Sequence, residues 1–227
     1  MKGLSVLGLW LIIPLSTFAQ ISGNPENWCR GGFFTRDSDQ FSVAKVKGGR
    51  HVRAYFYNDD NENCPGSATC RRKAFVVGGD ELIVNRAYQG YSCAWYTPKT
   101  GQPTVGWIKT SDLVFPAIKY DFSLRAWLGE WTYGENDIDL TDNKLAGFLN
   151  VNGTAIWKGI GDNVHVGELD GRYEPVNGII RYSDGDDEYD CKATLRLLGS
   201  YLIVADNTRC GGVNVSFSGI YTRKRIR

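Results

Sequence analysis

Methionine is nearly missing from this chain: Met1 is the only one in 227 residues. Histidine is almost as scarce, with His51 and His165 the only two. So few imidazoles leave a nucleophilic cysteine without an evident base and supply no obvious zinc-ligand set. No Gly-x-Ser-x-Gly elbow, phosphate loop or dinucleotide fingerprint occurs. The reading is therefore of a protein with no catalytic residues, no metal and no cofactor. An enzyme working through two cleft carboxylates is the one catalytic class left to weigh. Neither sign of charge is in excess, with 26 basic against 25 acidic residues. That argues against nucleic-acid binding, which needs clustered Lys and Arg. After residue 19 no segment approaches the roughly 18 apolar residues of a transmembrane helix. Apolar residues at three-and-four spacing are also lacking, which leaves no long amphipathic helix.

What is present begins with a leader. Lys2 is followed by an apolar run over residues 4–15, then Thr17-Phe18-Ala19, with small residues where a signal peptidase looks. Cleavage would leave Gln20 first, and about 208 residues, enough for one large or two small domains. Periplasmic or secreted localisation follows. Cys29, Cys64, Cys70, Cys93, Cys191 and Cys210 all lie beyond the leader. An even count in an exported chain reads as three disulfides, with 15 possible pairings. Cys191 and Cys210 bracket two strand-like runs. A bridge there closes a loop of about 20 residues and is worth about 3 kcal/mol. Among the other four, Cys64 with Cys70 would tether a loop, whereas Cys70 with Cys93 would pin neighbouring strands. Both pairings stay open.

Short alternating or β-branched runs fill the rest, separated by Gly, Asn and Asp pairs, as in an all-β sandwich or barrel. In the first half, strands are expected over 41–46, 52–57, 73–77, 81–85, 91–96 and 105–108, with one helical turn near Thr110. Pro116 marks a junction, because proline cannot continue a sheet ladder. The resulting division is a leader over 1–19, a first domain over 20–117 and a second over 118–227. In the second half, strands are expected over 138–140, 145–151, 154–160, 164–169, 179–183, 189–197, 201–205 and 214–221. Asn152-Gly153, Asp170-Gly171 and Asn177-Gly178 are among the turns between them. About eight hairpin-linked strands in about 100 residues predict an up-and-down antiparallel barrel or a flattened sandwich.

Three resemblances rest on particular residues. Gly79-Asp80 before an apolar strand, then Gly106-Trp107 and Leu113, resemble the bacterial SH3-like domain over roughly 40–115. Gly129-Glu130-Trp131 with the late Arg223 is similar to lipocalin-like barrels. The closing run from Cys210-Gly211-Gly212 to Tyr221 is similar to exported bacterial proteins grouped with lysozyme inhibitors. The fold expected is thus all-β: a small SH3-like barrel followed by an up-and-down antiparallel barrel.

The candidate binding residues follow. Tyr57, Tyr96 and Trp107 are the expected walls of an aromatic groove for a cell-wall peptide, a glycan or an envelope protein, with Trp95 in the core. Arg209 and Asn214, in an exposed loop, are the alternative site. There the chain would plug a wall hydrolase such as lysozyme, as would the loop over 58–66. Asp184, Asp186, Asp187, Glu188 and Asp190 form an acidic cluster better explained as a solvated hairpin tip than as a calcium loop. The basic end, 223–227, reads as a solvated tail protecting an edge.

Overall fold

The computed structural model describes residues 23–224 except 37, 118 and 119. The expected leader and residues 225–227 of the basic tail lie outside the described residues. Two antiparallel sheets account for nearly all the regular structure. The first contains β1 (Ser42–Val46), β2 (Arg53–Tyr57), β3 (Arg71–Val77), β4 (Glu81–Tyr88), β5 (Tyr91–Tyr96), β6 (Thr104–Lys109) and β7 (Leu113–Val114). Their order across the sheet is β3-β2-β6-β5-β4-β1-β7, curled into a half-barrel. Gln89 and Gly90, both at positive φ, make the tight β4–β5 turn, a conformation that the glycine adopts without steric cost. The expected helical turn is a 3-10 helix over Thr110–Asp112.

Alternation sorts the first sheet's side chains onto two apolar faces. Ala54, Phe56, Val76, Leu82, Ala94 and Ile108 fill the inside of the curl. Val43, Ile83, Cys93, Trp95 and Trp107 point outward, yet they are buried as well. Their cover comes from two sources. One is the arm preceding β1, which carries Cys29, Phe34 and a short helix α1 (Gly31–Phe34). The other is the outside of the second sheet, through Leu198, Ile203 and Ile220. Trp95 also meets Tyr133 with ring centroids 5.6 Å apart. Tyr201 donates to Glu81 Oε1 across the same boundary at 2.9 Å.

The second sheet follows a short helix α2 (Leu124–Trp127). Its strands are β8 (Gly129–Tyr133), β9 (Asn136–Asp142), β10 (Leu149–Lys158), β11 (Val164–Tyr173), β12 (Ile179–Ser183), β13 (Lys192–Leu198), β14 (Tyr201–Asp206) and β15 (Gly219–Arg223). The order β11-β10-β9-β8-β15-β14-β13-β12 is a meander whose last strand pairs with its first. This is a nearly closed up-and-down barrel. Its seam lies between β11 and β12, where Tyr182 Oη accepts from Asp170 N (3.3 Å) and Tyr173 Oη donates to Ser183 O (2.6 Å). Trp127, Trp131, Leu140, Val151, Leu195 and Phe217 are among the side chains that fill the interior. Gly129-Glu130-Trp131 and Arg223 do meet. The Arg223 guanidinium lies 4.6 Å over the Trp131 ring and donates to Ala126 O (2.6 Å). Arg223 and Lys224 are both exposed to solvent while lying against β8, and Lys224 pairs with Glu130.

Four expectations for the second half need correction. Asn152-Gly153 is not a turn but the middle of β10, so the expected strands over 145–151 and 154–160 are largely one. Gly153 is there for room: a Cβ would come within 3.2 Å of Asp137 O, Ile138 and Phe217. Asp170-Gly171 likewise lies inside β11. The closing strand is Gly219–Arg223, since Asn214 takes a positive φ that belongs to a loop. β8 was not foreseen as a strand.

Candidate functional site

The most strongly framed concavity in the first half opens where β2 runs out. Beyond Tyr57 the chain enters a loop closed by the Cys64–Cys70 disulfide. Opposite stands the arm, stapled to β5 by Cys29–Cys93. Asp59 joins the two. Its nearly buried carboxylate accepts from Cys29 N (3.0 Å) and from Arg30 Nε (3.0 and 2.9 Å to its two oxygens). That bond holds the Arg30 guanidinium still more firmly in its charged form, against the opposing effect of burial. Asn27 adds a second tie, donating to Asn61 O (2.9 Å) and Cys64 O (3.3 Å). The third wall is the start of β6, and Gly106 lets it approach: a Cβ there would sit 3.0 Å from Tyr57 O.

The open cleft between these walls has a volume of about 510 Å³ and is lined chiefly by Arg30, Tyr57, Asn58, Asp60, Arg72 and Thr104. Tyr57 is held edge-on against Tyr91, with centroids 5.0 Å apart. Arg72 donates from Nη1 to Val105 O (2.9 Å), which steadies it at the rim. The cleft thus offers one aromatic ring, two guanidiniums, an amide, a hydroxyl and a carboxylate on a cross-linked frame. Such a set can grip a hydrophilic chain by stacking and hydrogen bonds without reorganising.

The three-ring groove expected from the sequence does not form. Tyr57 lines the cleft. Its cross-strand partner Trp107 shares its face but is fully buried under the arm, where Nε1 donates to Asn27 O at 2.6 Å. Tyr96 is on the opposite face, half-buried against the inner core. Burial first, and then the Asp80 carboxylate, raise its phenol above the ordinary pKa. Trp95 is in the core, as expected. Arg30, Asp59 and Arg72 were missed. The signal available was their position: Asp59 follows directly on an aromatic strand, in a polar loop with paired cysteines.

Arg209 and Asn214 lie together on another feature, the loop between β14 and β15. Cys191–Cys210 staples it, with S–S 1.98 Å. The buried Asp206 carboxylate organises it, accepting from Phe217 N (2.6 Å), Ser218 Oγ (2.8 Å) and Ser216 Oγ (2.9 Å). Arg209 stands over the exposed Tyr189 ring at 4.6 Å. In the acidic tip, Asp190 Oδ2 accepts from Asp187 N (2.7 Å), and Asp187 Oδ1 from Tyr189 N (3.0 Å). These carboxylates shape their own turn, and among the described residues no metal-holding group of three or more His, Cys, Asp or Glu occurs. His165 Nδ1 donates to Val213 O at 2.5 Å.

Compared with protein-family models, curated proteins and solved structures, the chain finds no match. Among the described residues no helix is long and apolar enough to cross a membrane.

Proposed function

We propose that this is an exported, non-catalytic binding protein of the bacterial envelope that holds a cell-wall glycan or peptide in the Tyr57 cleft. One observation carries the reading. Of the three aromatic residues expected to bind, Tyr57 lines a polar concavity, and two of the three disulfides frame it. A frame that costs little ordering entropy suits a weak, polar ligand. The SH3-like likeness of the first half supports the same reading. The test is co-sedimentation of the mature, oxidised chain with peptidoglycan sacculi at low and moderate salt. Pelleting that drops at least several-fold in Tyr57→Ala is expected. Absence of pelleting overturns the reading.

A second reading is inhibition of a wall-degrading enzyme by the β14–β15 loop. The Asp206 hydrogen bonds and the Cys191–Cys210 staple favour it, because they present Arg209 and Asn214 on a rigid base. Loss of lysozyme inhibition in Arg209→Ala or Asn214→Ala would select it. A chain that leaves lysozyme turnover untouched removes it for that enzyme.

A further inference from the structure

The outer face of β2 and β3 escapes the cover that buries the rest of the first sheet's outside. Tyr55 and Phe75 are cross-strand partners there, with centroids 5.8 Å apart, and Phe75 is 40% exposed. A guanidinium stands over each ring: Arg53 is 4.4 Å from the Phe75 centroid and Arg71 is 4.7 Å from that of Tyr55. The four side chains form a row of cation, ring, ring, cation. Both guanidiniums lie within cation–π range of their rings. Lys73 adds a further exposed cation on the same strand. Among the described residues neither Arg53, Arg71, Arg72 nor Lys73 forms an ion pair. The row also continues the cleft, because Arg71 is the cross-strand partner of Tyr57 and Arg72 lines the cleft itself.

We infer that the cleft and this row form one track for an acidic polysaccharide. This rests on the cleft reading and sharpens it to a ligand class. Unpaired guanidiniums on both sides of a partly exposed ring pair call for a ligand that alternates negative charge with a stackable body. A chain of uronate-like or phosphorylated sugars has that character, whereas a neutral glycan would leave the cations unanswered. From Arg53 to Tyr57 the track runs roughly 13 Å along the strand, the length of two or three sugar units.

The test is affinity electrophoresis of the mature, oxidised chain through native gels containing polygalacturonate, dextran or poly-L-glutamate. Retardation by polygalacturonate and not by dextran is expected, weakening at least several-fold between about 50 and 200 mM salt. Arg53→Gln and Arg71→Gln should each weaken it about three- to tenfold, while Lys144→Gln on the barrel leaves it unchanged. Equal retardation by poly-L-glutamate would mean that an acidic peptide surface is the partner and would overturn the glycan. An equal effect of Lys144→Gln would overturn the track in favour of diffuse charge. Sacculus pelleting that depends on Tyr57 without polygalacturonate binding would sink the track alone. Polygalacturonate binding that depends on Arg53 and Arg71 but not on Tyr57 would sink the cleft alone.

Discussion

Replacing Trp107 distinguishes a core residue from a ligand-contacting one. The side chain is fully buried between the arm and the first sheet, 5.9 Å from Tyr88 by ring centroids, with its indole N–H given to Asn27 O at 2.6 Å. Trp107→Ala removes a large buried surface and leaves a cavity, at a cost of about 3–5 kcal/mol. Trp107→Phe keeps most of the packing but strands the Asn27 carbonyl, at about 1–3 kcal/mol. A domain of this size loses roughly 2–4 °C of melting temperature per kcal/mol. Trp107→Ala should therefore melt roughly 6–20 °C lower, and Trp107→Phe should fall between it and the parent. Melting followed by far-UV circular dichroism at pH 7, without reductant, gives the shifts. Sacculus pelleting well below both midpoints then reports binding by the folded variants. If Trp107→Ala melted like the parent while its pelleting vanished, the burial argument would be refuted and the expected aromatic groove restored.

Three other outcomes are expected. Gly167→Ala should destabilise by at least about 2 kcal/mol, since its Cβ would come 2.0 Å from Cys210 O, deep inside contact distance; an unchanged denaturation midpoint would mean that the β14–β15 loop is not seated on β11. Paired Cys191→Ser and Cys210→Ser should cost about 3 kcal/mol in guanidinium unfolding and abolish any lysozyme inhibition; full stability would show that Asp206 alone holds the loop. Burial raises the phenol pKa values of Tyr133 and Tyr221, and burial followed by Glu81 raises that of Tyr201. The folded chain then keeps protons that unfolded tyrosines release above about pH 10. Stability should be level below that pH and fall above it, less steeply in Tyr201→Phe, when unfolding is compared at pH 8, 10 and 11; a flat profile to pH 11 would contradict the burial of these rings.

The sequence shows its class plainly because period-two alternation and tight-turn glycines need little context. Gln89-Gly90 and Asn177-Gly178 sit where hairpins require positive φ, at 47° and 80° and at 51° and 77°. Asn152-Gly153 misleads because the same pair also suits a crowded mid-strand site, and the crowding appears only once β9 and Phe217 are in place beside it. Along β5, alternation separates Tyr91, Cys93 and Trp95 from Ser92 and Ala94, but both sets are buried. A strand covered on both sides carries no local mark of which face meets solvent, so Trp107 could be taken for a groove wall. The arm is the larger omission. Its buried Asn27, Cys29 and Phe34 form no periodic run, and their role appears only when Cys29 is found bonded to Cys93. The Cys191–Cys210 staple was legible because its hairpin is local in sequence, whereas Cys29 and Cys93 are 64 residues apart.

Leu198, Ile203 and Ile220 face away from the barrel's own interior and complete the packing over Trp95 and Trp107. The two sheets are thus not portable modules in the way beads on a string are. A gene fragment ending near Pro116 would uncover the side of Trp95 that meets Tyr133, and the complementary fragment would uncover Leu198, Ile203 and Ile220. Any recombination that hands one half to a new neighbour has to supply a matching lid. In an oxidising compartment, where the arm is already stapled by Cys29–Cys93, the cheapest lid is the half it came with.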